Sequence, residues 1–197
     1  MGRQAKDNFR ENFIKCSFDY LVKNGLENTS VRDLCKVNGI SSGNLYYWFE
    51  GKDEIYISAA KYGLSKVAGY LFSNAFGALR ENRNFKSFFD NALGYFDNVK
   101  HELRFIYQVA TSPVYGERMR NKAEDLNKTY EKYILELSEM INCPVEELAP
   151  VVFLFISSLL DYVVWEDKFV STMQLEYLYG ILKSYTKKIA NDKEETK

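Results

Sequence analysis

Histidine is almost missing from this chain, which has one, His101, in 197 residues. A single imidazole leaves no room for a two- or three-histidine metal centre. His101 stands beside Glu102 and reads as a surface residue of a loop. Proline is nearly as scarce, with Pro113, Pro144 and Pro150 only, so nothing before Pro113 breaks a helix by that route. The three cysteines, Cys16, Cys35 and Cys143, form no CxxC pair, which excludes a disulfide framework and a cysteine zinc site. Cys16 and Cys35 lie among apolar residues and read as small core residues. Charge of one sign is lacking too: 26 Lys+Arg against 27 Asp+Glu leave a net charge of -1. Any affinity for nucleic acid must therefore rest on a local site. The opening MGRQAKDNFREN has no apolar core of a signal peptide. The longest apolar run, VVFLFISSLLDYVVW from Val151 to Trp165, falls short of the roughly 20 residues of a membrane span and contains Asp161. These absences are read as a cytoplasmic protein with no membrane partner, no metal and no cofactor.

Aromatic residues are abundant, with 15 Tyr and 14 Phe making most of a 16% share. Apolar residues recur at helical spacing nearly throughout, so the expected fold is all-α, with about nine helices. Phe9, Phe13, Cys16, Tyr20 and Leu21 mark the first helix, and Gly25 suits a left-handed residue after its end. Ser30 with Asp33 forms a capping-box pattern for a second. Ser41 or Ser42 opens a third, which buries Leu45, Trp48 and Phe49. Lys52 begins a long fourth. Later helices are expected from Phe85 to Phe96 and from Leu103 to Val109. A long one carries Met119 to Ile141, another follows Cys143-Pro144, and the last starts at Ser171.

Residues 30–49 have helix-turn-helix proportions: two short helices joined by a tight turn at Gly39. The apolar residues Val31, Leu34, Ile40, Leu45 and Phe49 can lock the pair at a fixed angle. The second helix then turns its other face outward, toward a major groove.

The segment Thr29–Ile55, TSVRDLCKVNGISSGNLYYWFEGKDEI, resembles the N-terminal signature of TetR-family transcriptional repressors. The resemblance runs without a gap from about Arg10 to Ile55 and includes Gly25, Gly39, Ser41, Gly43, Leu45, Tyr46, Phe49 and Lys52. Ser42, Gly51 and Asn38 depart from the usual family residues. The resemblance implies a three-helix DNA-binding domain, taken as 6–66, followed by a helical ligand-binding and dimerisation domain, 67–197. It implies operator DNA as partner and a small-molecule effector. Ser30, Ser41 and Ser42 offer hydroxyls and helix N-termini to phosphates. Gly43 lets the backbone approach DNA, Asn44 suits the edge of an adenine, and Tyr46 and Tyr47 lie where the family contacts backbone and base methyls. Lys52 looks like the family's phosphate-contacting lysine. Residues 1–55 hold eight basic and eight acidic residues, so the non-specific electrostatic term should be small.

In the remainder, Val151–Trp165 is apolar around nearly its whole circumference and must be covered on more than one side. A homodimer through 144–166 and 171–190, with a pocket on the other face, would cover it. Tyr62, Tyr70, Phe89, Phe105, Tyr130, Tyr133, Phe153 and Trp165 are candidate lining residues of an aromatic pocket. Asp161 could pair with a cationic ligand or bond across the dimer. No nucleophile elbow, Asp-rich motif or Gly-rich phosphate loop points to an enzyme. Besides a ligand-responsive repressor, the sequence admits a helical ligand-binding or scaffold dimer whose DNA binding is weak or lost.

Overall fold

The computed structural model describes the backbone of residues 3–82, 84–120 and 124–195, and the side chains of 8–81, 84–119 and 131–185. Among the described residues there is helix and no strand. The chain divides into two compact units. The first is Met1–Tyr70 with Val99–Lys122, and the second is Leu71–Asn98 with Ala123–Lys197. These units do not follow the single boundary between 66 and 67 read from the sequence, because α7 (Lys100–Thr111) packs against α1 (Arg3–Asn24). Phe105 of α7 meets Phe18 of α1 edge to face, with ring centroids 5.8 Å apart.

The first unit also holds α2 (Val31–Val37), α3 (Ser42–Trp48), α4 (Lys52–Leu71) to Tyr70, and α8 (Gly116–Arg120). Gly25 at φ +82° ends α1, and Gly39 at φ +65° makes the turn between α2 and α3, a conformation that glycine adopts without strain. The capping box at α2 is formed: Asp33 N–H donates to Ser30 Oγ and Ser30 N–H to the Asp33 carboxylate. The core of this unit is Phe13, Phe18, Leu21, Leu34, Leu45, Phe49, Ile55, Tyr56 and Val109, all fully or nearly fully buried. Cys16 is exposed rather than buried. Its neighbour Ser17 takes the core position, and Asn38 Nδ2 donates to Ser17 Oγ at 3.3 Å. A hydroxyl can be buried where it keeps a partner. His101 lies on α7 rather than in a loop and is exposed.

The second unit opens with a π-turn, Phe72–Phe76, followed by α5 (Gly77–Asn82), α6 (Phe85–Asp97), α9 (Glu124–Ile141), α10 (Val145–Trp165) and α11 (Lys168–Glu195). The expected helix from Met119 to Ile141 is represented by α8 and α9, and residues 121–123 between them lie outside the described set. Helix α10 packs against α6, α9 and α11. It begins at Val145, with Pro144 as its cap, not as its first residue. The full helix is therefore long and apolar enough to cross a membrane by length and composition, which corrects the shorter reading of that run. Its Leu148, Val151, Leu159, Tyr162 and Val163 are nonetheless buried in this unit. Tyr162 OH donates to the Asp97 carboxylate at 2.8 Å. The last helix starts three residues before Ser171. Asp167 caps it by accepting from Val170 N–H at 3.0 Å, and Ser171 is buried.

Two helical glycines of α4 separate packing from propensity. A methyl group at Gly63 would stand 2.2 Å from Phe18 Cε2, whereas at Gly69 it would meet nothing within 4 Å. Gly69→Ala should stabilise the protein by up to about 1 kcal/mol, as helix propensity dictates. Gly63→Ala should destabilise it by about 1–3 kcal/mol, because Phe18 must leave its place between α1, α4 and α7. Urea denaturation of the two variants checks this, and two shifts of the same sign would contradict it.

Candidate nucleic-acid interface

Helix α3 owes its position to what it hides. Leu45 is fully buried, and Phe49, the residue that ends the helix, is buried 4.9 Å from the Phe13 ring. Trp48 is half-buried, with its ring 4.5 Å from that of Phe9. Everything else on the helix then faces outward. Ser41, Ser42, Gly43 and Asn44 are exposed, and Tyr46 and Tyr47 are 64% and 67% exposed. Ser41 caps the helix, its hydroxyl accepting from Asn44 N–H at 3.3 Å. Six candidate contact residues therefore share the outer side and N-terminal end of one seven-residue helix that carries no charge.

Ser30 and Lys52 are exposed at the starts of α2 and α4. The Ser30 hydroxyl already donates to the Asp33 carboxylate at 2.5 Å. That bond, with the Ser30 backbone N–H, holds the Asp33 carboxyl below its usual pKa. Lys52 Nζ stands 5.2 Å from the centroid of the Tyr56 ring, a cation over an aromatic face. Tyr56 is itself buried and donates to the carbonyl of Thr29 at 2.6 Å, which ties α4 to the chain just before α2.

A second set of contacts at this site has no local sequence pattern. Arg10 of α1 donates to the carbonyl of Trp48 and to Glu54 of α4, and lies 4.7 Å over the Phe49 ring. The other Glu54 oxygen accepts from Glu50 N–H at 2.6 Å. Burial works to raise the Glu54 pKa, but the bonds from Glu50 and Arg10 outweigh it, and the carboxyl lies below its usual value.

The candidate ligand residues divide between the two units. In the first unit Tyr62 and Phe105 both pack on Phe18, and Tyr70 is half-buried at the unit's end. In the second unit Phe89 and Tyr133 belong to one cluster of rings. Tyr133 stacks on Phe72, Phe76 touches both Tyr133 and Phe88, and Phe88 and Phe89 pack on Phe155. A crevice of about 10 Å³ beside Tyr133, where Arg80 pairs with Glu136, has room for about one water molecule. Phe153, Asp161 and Trp165 are exposed on α10. The side chain of Tyr130 lies outside the described residues. Among the described residues no group of acidic, histidine and cysteine side chains is placed to hold a metal ion.

The fold is shared with solved structures. A TetR-family transcriptional regulator from Streptomyces coelicolor superposes with a TM-score of 0.60 at 16% identity, covering 98% of this chain and 86% of its own. A chain from Syntrophomonas wolfei str. Goettingen assigned to the same family gives 0.56 at 18%, covering 91% and 95%. The chain thus has the fold of TetR-family regulators: a helix-turn-helix unit joined to a larger helical one. No protein-family model matches the sequence, and no curated relative does.

Burial raises the Tyr56 pKa to about 12, and nearby Tyr115, Asp33 and Asp53 add to this. The stabilisation from the protonated phenol is complete below the unfolded pKa near 10 and is lost as the pH rises toward 12. Tyr162 is raised to about 12 as well, by burial and by its bond to Asp97, and contributes in the same window. Tyr56→Phe should cost about 1–3 kcal/mol at pH 8, since the buried Thr29 carbonyl loses its donor. It should also lose less stability than the wild type between pH 10 and 12. Equal alkaline losses in urea melts would contradict the Tyr56 assignment.

Proposed function

We propose that the chain is a cytoplasmic, dimeric DNA-binding transcriptional regulator, a repressor that a small apolar or aromatic effector releases from its operator. The observation that carries this reading is the exposed, uncharged face of α3. It pairs Asn44, a reader of base edges, with two open tyrosines, at the head of a helix fixed by its buried face. Gly43 leaves the backbone near the helix N-terminus bare, and Ser41 and Ser42 supply hydroxyls for phosphate. Both structural neighbours are TetR-family transcriptional regulators, which supports the reading.

Dimerisation is supported by the outer faces of the last two helices. On α10 Phe153, Leu154, Val164 and Trp165 are exposed, and on α11 so are Phe169, Met173 and Tyr177, the first of them 79%. These positions recur at helical spacing on each helix. Large apolar side chains exposed in this number mark an interaction site. This face would take up Phe153 and Trp165, with Asp161 among them, which leaves Phe89 and Tyr133 as the ligand candidates among the described side chains of the second unit. Because the crevice beside Tyr133 holds about one water, an effector there must part the rings. It controls DNA binding only if it favours the parted state, and operator DNA must then weaken its binding by the same factor.

The DNA reading is tested by selecting duplexes from random sequence at low salt. A pseudopalindrome should emerge, with half-sites about 34–36 Å apart or a multiple of that. Asn44→Ala should relax one base position per half-site by about 1–3 kcal/mol, while Lys52→Ala should weaken all sequences alike and flatten the salt dependence by about one phosphate. If no duplex is enriched, the scaffold reading replaces this one.

Assembly has its own test. Phe155 is packed between Phe88 and Phe89, so a charge there would damage the core. Leu154→Glu puts the charge on the exposed face instead. Sedimentation at micromolar concentration should find a wild-type dimer and a Leu154→Glu monomer or aggregate. A folded wild-type monomer would contradict the interface.

A further inference from the structure

We infer that Arg10, acting with Glu54, sets the angle at which α3 is presented, and so determines which bases Asn44, Tyr46 and Tyr47 reach. The inference rests on the DNA-binding reading above. Helix α3 has seven residues and is therefore only about 10 Å long. Within it Leu45 is the one fully buried residue. At its end Trp48 packs on Phe9 and Phe49, just past the helix, packs on Phe13, but ring contacts and burial are non-directional and leave a short rod room to tilt about Leu45. A tilt of about 10° would move each end, about 4.5 Å from Leu45, by about 0.8 Å, enough to stretch a hydrogen bond to a base out of its normal range. A bond of fixed direction at the end of the helix prevents this.

The Arg10 guanidinium is placed to do so. The last carbonyls of a helix have no partner within it, and one of these, that of Trp48, accepts from Arg10. The same group bonds Glu54 of α4 and lies over Phe49. Glu54 in turn takes the N–H of Glu50. One guanidinium thus joins α1, the end of α3 and the start of α4, and each residue from Trp48 to Glu50 is held by a separate contact. The planar fork of arginine makes bonds in fixed directions, which a lysine ammonium does not. With its charge matched by Glu54 and both terminal nitrogens bonded within the protein, Arg10 acts on DNA through α3 and not through a phosphate. It is a positioning residue.

The test compares Arg10→Met, Arg10→Lys and Glu54→Gln with the wild type, using full-length protein shown to be folded by circular dichroism. The probes are the duplex enriched by the wild type and a random duplex of equal length. Each variant should lower the ratio of the two affinities by about tenfold or more, the scale of one lost charge-assisted hydrogen bond. The affinity for random duplex and its salt slope should stay as they are. An unchanged ratio would overturn the inference while leaving DNA binding intact. A wild-type ratio in Arg10→Lys, or a salt slope flattened by about one in Arg10→Met, would make Arg10 a phosphate contact and overturn it too. If the wild type enriches no duplex, the regulator reading fails separately. The positioning claim is then decided by hydrogen exchange: the amides of Phe49 and Glu50 should exchange at least tenfold faster in Arg10→Met, and unchanged exchange would refute it.

Discussion

A helix of seven residues cannot stand alone in water, because nucleating it costs more than its few hydrogen bonds return. Helix α3 exists only because Leu45 and Phe49 are buried against α1 and its neighbours. That burial fixes its rotation, and the rotation decides which side chains are outward. The exposed set of Asn44, Tyr46 and Tyr47 is a consequence of the apolar set, not a separate feature. The other parts of the first unit serve the same end. Asn38 and Ser17 fix α2 on α1, Tyr56 ties α4 to Thr29, and Gly63 lets Phe18 fill the joint with α7.

Signals carried by neighbouring residues were legible in the sequence. The Ser30–Asp33 box, the positive φ of Gly25 and Gly39 and the start of α4 at Lys52 each depend on local chemistry, and the structure has all of them. Readings that weighed hydrophobicity alone were shifted by polar residues that are satisfied when buried. Cys16 reads as core from its apolar neighbours, yet the buried position is that of Ser17, which has Asn38 as partner. The last helix reads as starting at Ser171, yet it starts at Lys168 with Asp167 as its cap, and Ser171 is buried. Arg10 and Glu54 are 44 positions apart, so no window of sequence joins them. The aromatic candidates were legible as buried or exposed only in part. Helix α7 folds back on α1, and the rings fall into two different units.

The second unit shows the complementary problem. Helix α10 is apolar enough to be covered on both sides, and the protein covers one. The inward side carries Leu148, Val151 and Leu159. The outward side carries large apolar residues interrupted by Ser157 and Asp161, and α11 has an exposed apolar stripe of its own. An isolated chain with that surface is prone to association, and the proposed two-fold partner would close it without leaving a further free patch. The same reasoning removes Phe153 and Trp165 from the interior, where their aromatic character alone had placed them.

The central claim is that the outer face of α3 is the surface that meets DNA. Hydrogen exchange read by mass spectrometry, with and without an enriched duplex, addresses it directly. The account predicts slowed exchange across 41–53, the recognition helix and the turn into α4, with α10 and α11 unchanged. Protection confined to the second unit, or none at all with the duplex bound, would contradict it.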